Sequence, residues 1–158
     1  MSGTDERPKN RSIQAVLAAY GLALAPHGYY VVKTMAHDPG VTSNILPRDN
    51  LSALKGKIPA GVWDKLARAR GAHMNAMEGF PFFAAATLVG NVTKMPVSDL
   101  NTLALNYLGA RVLYTALYMG VRSERMAYLR TAAWAWSISV PVYIFYRAGN
   151  TALTMRDD

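Results

Sequence analysis

The chain has 158 residues, enough for one domain with a single core. It is 51% apolar and 17% charged with a formal net charge of +7, and that charged share is below the roughly 25% of soluble domains. It has no cysteine, which excludes a disulfide framework, a thiolate metal site and a cysteine nucleophile. Three scattered histidines (His27, His37, His73) lack ligand spacing, so no metal is expected. The aromatics lie inside apolar runs and most basic residues lie between them. A nucleic-acid surface would interleave the two, so the pattern points to a bilayer and not to nucleic acid.

Residues 1–11, MSGTDERPKNR, read as a flexible polar tail. SIQAVLAAYGLALAPHGYYVV, 12–32, then runs 21 residues without a formal charge, about the length that crosses a bilayer as a helix. Ala23-Leu24-Ala25 has the form of a signal-peptidase site, but Pro26 blocks cleavage, so a retained first span is expected. Residues 36–60 are turn-rich (HDPG, LPRDN, KGKIP) and predict a long first loop. A second helix opens at Pro59 or Ala60 and runs to about Val92, with a short uncharged part at 79–93. Ser98 or Asp99 caps a third helix ending near Val121, which Arg111 interrupts halfway. The fourth, about 124–147, contains TAAWAWSISVPVYIFY, where Pro141 should kink the helix without ending it.

The expected fold is therefore all-α: an integral membrane bundle of four transmembrane helices in residues 12–147, with a polar C-terminal tail at 148–158. Ten Lys and Arg flank the first and third loops, from Lys33 to Arg70 plus Arg122, Arg125 and Arg130, against six at the other end. Positive-inside then places those two loops in the cytosol and both termini in the lumen.

The polar residues inside the apolar segments fall into stripes. At about 100° per residue, Arg68, Gly71, Asn75, Glu78 and Phe82 share one narrow arc of the second helix. Arg70, His73 and Met77 lie on the other side, where His73 is expected to make a packing or interface hydrogen bond. In the third helix Tyr107, Arg111, Tyr114 and Tyr118 are spaced i, i+4, i+7, i+11. A carboxylate at membrane depth is expensive unless paired, so Glu78 is expected to be buried against Arg111 or Arg68. RSERMAYLR, 122–130, forms the third cluster, with Arg125 and Tyr128 placed i, i+3 toward the same pocket. An inventory of arginines, a Glu and an Asn suits a small peptide-like anion such as glutathione, whose thiol needs a nearby cation to react as thiolate.

RARGAHMNAMEGFPFF followed by ARVLYTALY resembles the membrane-associated proteins in eicosanoid and glutathione metabolism (MAPEG), in a microbial branch similar to the microsomal glutathione transferases. The likeness covers residues 12–147 and rests on Asn75-x-x-Glu78-x-x-Pro81 together with Arg111-x-x-Tyr114-x-x-x-Tyr118. It implies a homotrimer in an internal membrane, such as the endoplasmic reticulum or a bacterial inner membrane, with glutathione held between subunits near the cytosolic side. The cofactor-binding residues it implies are Lys33 (from the neighbouring subunit), Arg68, Asn75, Glu78, Arg111, Tyr114 and Tyr128. The implied catalytic pair is Arg125, with Arg122 as its rival, and Tyr118 as a hydroxyl donor. Gly71 stands where several members place an arginine, and Gly79 where one has a glutathione-contacting tyrosine. The expected activity is a glutathione-dependent transferase, isomerase or peroxidase on a lipophilic electrophile. The alternatives are a glutathione-independent isomerase or cyclase of a lipid or terpenoid-like substrate, and a non-catalytic lipid-presenting scaffold.

Overall fold

The structure, a computed structural model, describes residues 8–37, 40 and 42–154. The described chain contains five α-helices: α1 (Ser12–His37), α2 (Asn50–Ala53), α3 (Ala60–Val92), α4 (Val97–Gly120) and α5 (Glu124–Thr154). The four long helices are those the sequence predicts. The fifth is a correction, because the first loop folds into a 3-10 turn (Pro47–Asp49) running into the one-turn helix α2.

Helix boundaries follow proline and backbone geometry. Pro59 and Pro96 precede α3 and α4 in an extended conformation and start both helices with no side-chain cap, so Ser98 and Asp99 lie inside α4. Pro26, Pro81 and Pro141 each sit within a helix that continues past them. Between α3 and α4, Lys94 takes a left-handed conformation (φ 55°). Met95 N–H donates to the Gly90 carbonyl and Lys94 N–H to the Asn91 carbonyl, which satisfies the end of α3. At its C-terminus α5 extends beyond the expected residue 147 to Thr154, with Ala148 in the core, so the polar tail does not begin at 148.

Packing is broadest between α1 and α3 and between α4 and α5, and α3 also touches α4 and α5. The main core stacks the Phe83 and Tyr107 rings face to face (3.7 Å between centroids) among Leu100, Val140 and Ile144, with alanines letting the helices approach. Outside it, Leu17, Val92, Leu105, Trp134 and Tyr146 form a wide exposed apolar surface. By length and composition α1 is apolar enough to cross a membrane. The other long helices carry interior charges or stay less apolar.

Two polar ties frame the bundle. At one end, Arg11 N–H donates to Asn101 Oδ1 and Asn10 Nδ2 to Asn91 Oδ1, so residues 10–11 of the expected tail are anchored; residues 1–7 lie outside the described residues. Arg147 and Asp99 join α5 to α4 there at 2.6 Å, the one ion pair among the described residues. At the other end a second core of Tyr30, Leu51, Leu54, Leu66 and Ala69 seats α2 against α1 and α3. Trp63 Nε1 donates to the Leu51 carbonyl at 2.8 Å. Trp63→Phe should remove that bond, cost about 1 kcal/mol, and appear as faster proteolytic cleavage between residues 42 and 58.

Candidate functional site

The tyrosine stripe of α4 faces inward. Tyr107, Arg111 and Tyr114 are buried, and the Tyr118 ring meets Tyr114 edge-on at 5.6 Å. Arg111 is only 4% exposed, and its two terminal guanidinium nitrogens are buried with no hydrogen-bond partner among the described residues. Its neighbours are the Tyr114 ring, 4.8 Å from its Cζ, and the backbone of α3 at Gly79. A Cβ at Gly79 would stand 4.0 Å from Arg111 Nη1 and 3.8 Å from the Tyr107 hydroxyl. This glycine lets the backbone of α3 pack closely over the guanidinium.

The expected partner of Arg111 is not on it. Glu78 is exposed on the single chain and makes no ion pair with Arg111 or Arg68 among the described residues. The reason is rotational. The core face of α3 is set by Ala69, Ala72, Ala76, Phe83 and Ala86. Glu78 lies roughly 150° around the helix from that face at 100° per residue. Arg68 points instead at the last turn of α4, where its Nε donates to the Met119 carbonyl at 3.3 Å and meets the negative end of that helix. Asn75, half-buried, donates Nδ2 to the Gly71 carbonyl, and its Oδ1 accepts no hydrogen bond among the described residues. His73 brings Nδ1 to 2.8 Å from the Ala23 carbonyl, beside Pro26, the packing role expected of it.

The third cluster does not converge on the stripe within one chain. Arg125 is exposed and Tyr128 is 77% exposed, and neither reaches the stripe; Arg122 and Lys33 are exposed as well. Arg130 is the arginine that arrives, with its Cζ 4.7 Å over the Tyr118 ring. The sequence held a signal for it. The buried face of α5 comprises Ala133, Ser137, Val140 and Ile144, and Arg130 precedes them at i, i+3, i+7, i+10, i+14. Tyr128 falls almost opposite that face and Arg125 well off it.

Gly71 explains where Tyr118 sits. A Cβ there would lie 2.6 Å from the Tyr118 hydroxyl, so the hydroxyl occupies the space of the missing side chain. Gly71→Ala should therefore swing the tyrosine tip away from α3. Because only that tip must move, the stability loss should stay near 1 kcal/mol, which thermal unfolding of the variant measures.

Arg111, Tyr114, Tyr118 and Arg130 thus form a cation–aromatic ladder along α4 and α5. Asn75 and Glu78 lie beside it on an open flank of α3. Such a face can bind anionic groups at two arginines, an amide at Asn75 and an ammonium at Glu78. No curated protein and no solved structure matches the chain. A family model does match residues 13–150, nearly the whole helical bundle and the entire ladder. On that match the chain belongs to the MAPEG family.

Proposed function

We propose that the protein is a membrane-bound, glutathione-dependent transferase, isomerase or peroxidase acting on a lipophilic electrophile. The observation that carries this reading is the Arg111 guanidinium, buried without an acceptor among the described residues beside the tyrosine stripe. A buried charge left unpaired is costly, and an anionic ligand would supply the acceptor. The residues suit glutathione: Arg111 and Arg68 for its carboxylates, Asn75 for an amide and Glu78 for the ammonium. When bound, glutathione supplies the thiol that attacks the electrophile. Arg130 and the Tyr118 hydroxyl place a fixed positive charge and a donor at the loop end of the ladder, where a sulfur anion needs them.

In the same reading the functional unit is a homotrimer spanning an internal membrane with four helices per subunit, its first and third loops cytosolic. A neighbouring chain, contributing Lys33, covers the flank on which Asn75 and Glu78 lie open. The apolar outer surface of the bundle admits the hydrophobic substrate from the bilayer. A glutathione-independent isomerase or cyclase is the second reading. The Tyr118 hydroxyl against Gly71 favours it, filling a place where the resemblance implies an arginine in several family members.

Isothermal titration of glutathione into detergent-purified protein, followed by thiolate absorbance, tests the proposal. Saturable binding with a thiolate band is expected. Absence of binding at millimolar glutathione overturns it and leaves the second reading.

A further inference from the structure

A shallow groove of about 880 Å³ runs along the outer face of the bundle between α4 and α5. Trp134, Trp136, Tyr143 and Tyr146 of α5 line it together with Leu103 of α4, and the four aromatic rings remain exposed. The polar side chains in its wall turn back on their own helices. Asn106 Nδ2 donates to the Thr102 carbonyl at 2.9 Å, and the Ser139 hydroxyl donates to the Trp136 carbonyl at 2.7 Å. The surface left for a ligand is therefore mostly apolar. From Tyr146 to Trp134 the groove follows α5 for about 18 Å, at about 1.5 Å per residue. That is close to one leaflet of a hydrocarbon core about 30 Å thick. Its Tyr146 end meets the Arg147–Asp99 pair, whose side chains are 36% and 38% exposed. Arg147 Cζ stands 5.9 Å from the Tyr143 ring. A positive and a negative group thus sit side by side where the apolar groove begins.

We infer that this groove holds one zwitterionic phospholipid, with its phosphate on Arg147, its ammonium on Asp99 and an acyl chain lying along Tyr143 and Trp134. A purely anionic headgroup would match Arg147 but meet the Asp99 carboxylate, and a cationic amphiphile would meet the reverse. Adjacent opposite charges suit a headgroup that carries both. The exposed tyrosine faces beside the pair add a surface for an ammonium. Length agrees as well, because a chain anchored at Arg147 reaches Trp134 at about the depth of one leaflet. The formal net charge of +7 draws anionic lipid to the surface in general, so a preference for a zwitterion reports this pair and not the overall field. None of these residues belongs to the tyrosine ladder, and the inference stands whether or not glutathione is used.

The experiment takes full-length protein, stripped of lipid in neutral detergent, and adds palmitoyl-oleoyl phosphatidylcholine or the phosphatidylglycerol of the same chains. Native mass spectrometry reads retained lipid, and thermal unfolding reads stability. Phosphatidylcholine should be retained and should raise the melting temperature, and phosphatidylglycerol should do both less. Asp99→Asn should weaken phosphatidylcholine retention about fivefold and leave phosphatidylglycerol retention unchanged or higher. Asp64→Asn, on the exposed surface of α3, should change neither. Ser139→Trp, at an exposed position inside the groove, should lower retention of both lipids without lowering the lipid-free melting temperature. Equal retention of the two lipids by the wild-type protein overturns the inference, as does phosphatidylcholine retention unchanged in both Asp99→Asn and Ser139→Trp. Glycerophosphocholine, which has no acyl chain, giving the same thermal shift overturns it too, because the groove would then take no chain.

Discussion

Arg130→Ala should lower glutathione-dependent turnover by roughly 10²–10³-fold, the scale for removing one electrostatic donor from a transition state. Arg125→Ala should leave turnover close to wild type. The contrast follows from position, because Arg130 stands over the Tyr118 ring and Arg125 is exposed away from it. Glutathione affinity should change little in Arg130→Ala, since Arg111, Asn75 and Glu78 remain. The thiolate fraction at neutral pH should fall. Steady-state rates with an aryl halide electrophile, together with the thiolate absorbance, measure both quantities. Equal loss in both variants would mean that the third loop rearranges when the ligand binds. If neither arginine matters while Tyr118→Phe abolishes turnover, the Tyr118 hydroxyl and not an arginine stabilises the thiolate.

Arg111→Met should separate stability from binding. Among the described residues the guanidinium terminus has no acceptor, so an apolar side chain of similar length should leave stability unchanged or raise it by about 1–4 kcal/mol. Ligand binding should weaken by about 2–5 kcal/mol, as for loss of one partner of a buried charge pair. That amounts to at least a thirtyfold rise in Kd. Thermal unfolding with and without glutathione reads both effects at once. The variant should melt at or above wild type without ligand and lose the ligand-induced rise. A large fall in the ligand-free melting temperature would show that Arg111 already has an anionic partner, and Glu78 of a neighbouring chain would be the first candidate.

The helices themselves were legible because their signals are local. Uncharged runs, Pro59 at the start of α3, and the i, i+4, i+7, i+11 stripe of α4 act over a few turns, and the structure reproduces each, whereas the Ser98 or Asp99 cap gives way to Pro96. The inward face of α4 was legible for the same reason, as Tyr107, Arg111 and Tyr114 are all buried. The first loop was less so. Its turn residues were visible, but Leu51 and Leu54 become core only once α1 and α3 stand beside them.

What the tertiary structure decided is how each helix is rotated about its axis against its neighbours. That rotation brings Arg130 to Tyr118 and leaves Arg125 and Tyr128 outside. It turns Glu78 from the core of its own chain, and it lets the Tyr118 hydroxyl rest on Gly71. Sequence by itself determined the four long helices and the inventory of charges, because helix formation and periodicity depend on near neighbours. Partnerships between those charges depend on small residues such as Ala69, Ala72, Ala76, Ala133 and Ser137 packing across helices. Those contacts join positions far apart in the chain, and no single helix's pattern records them.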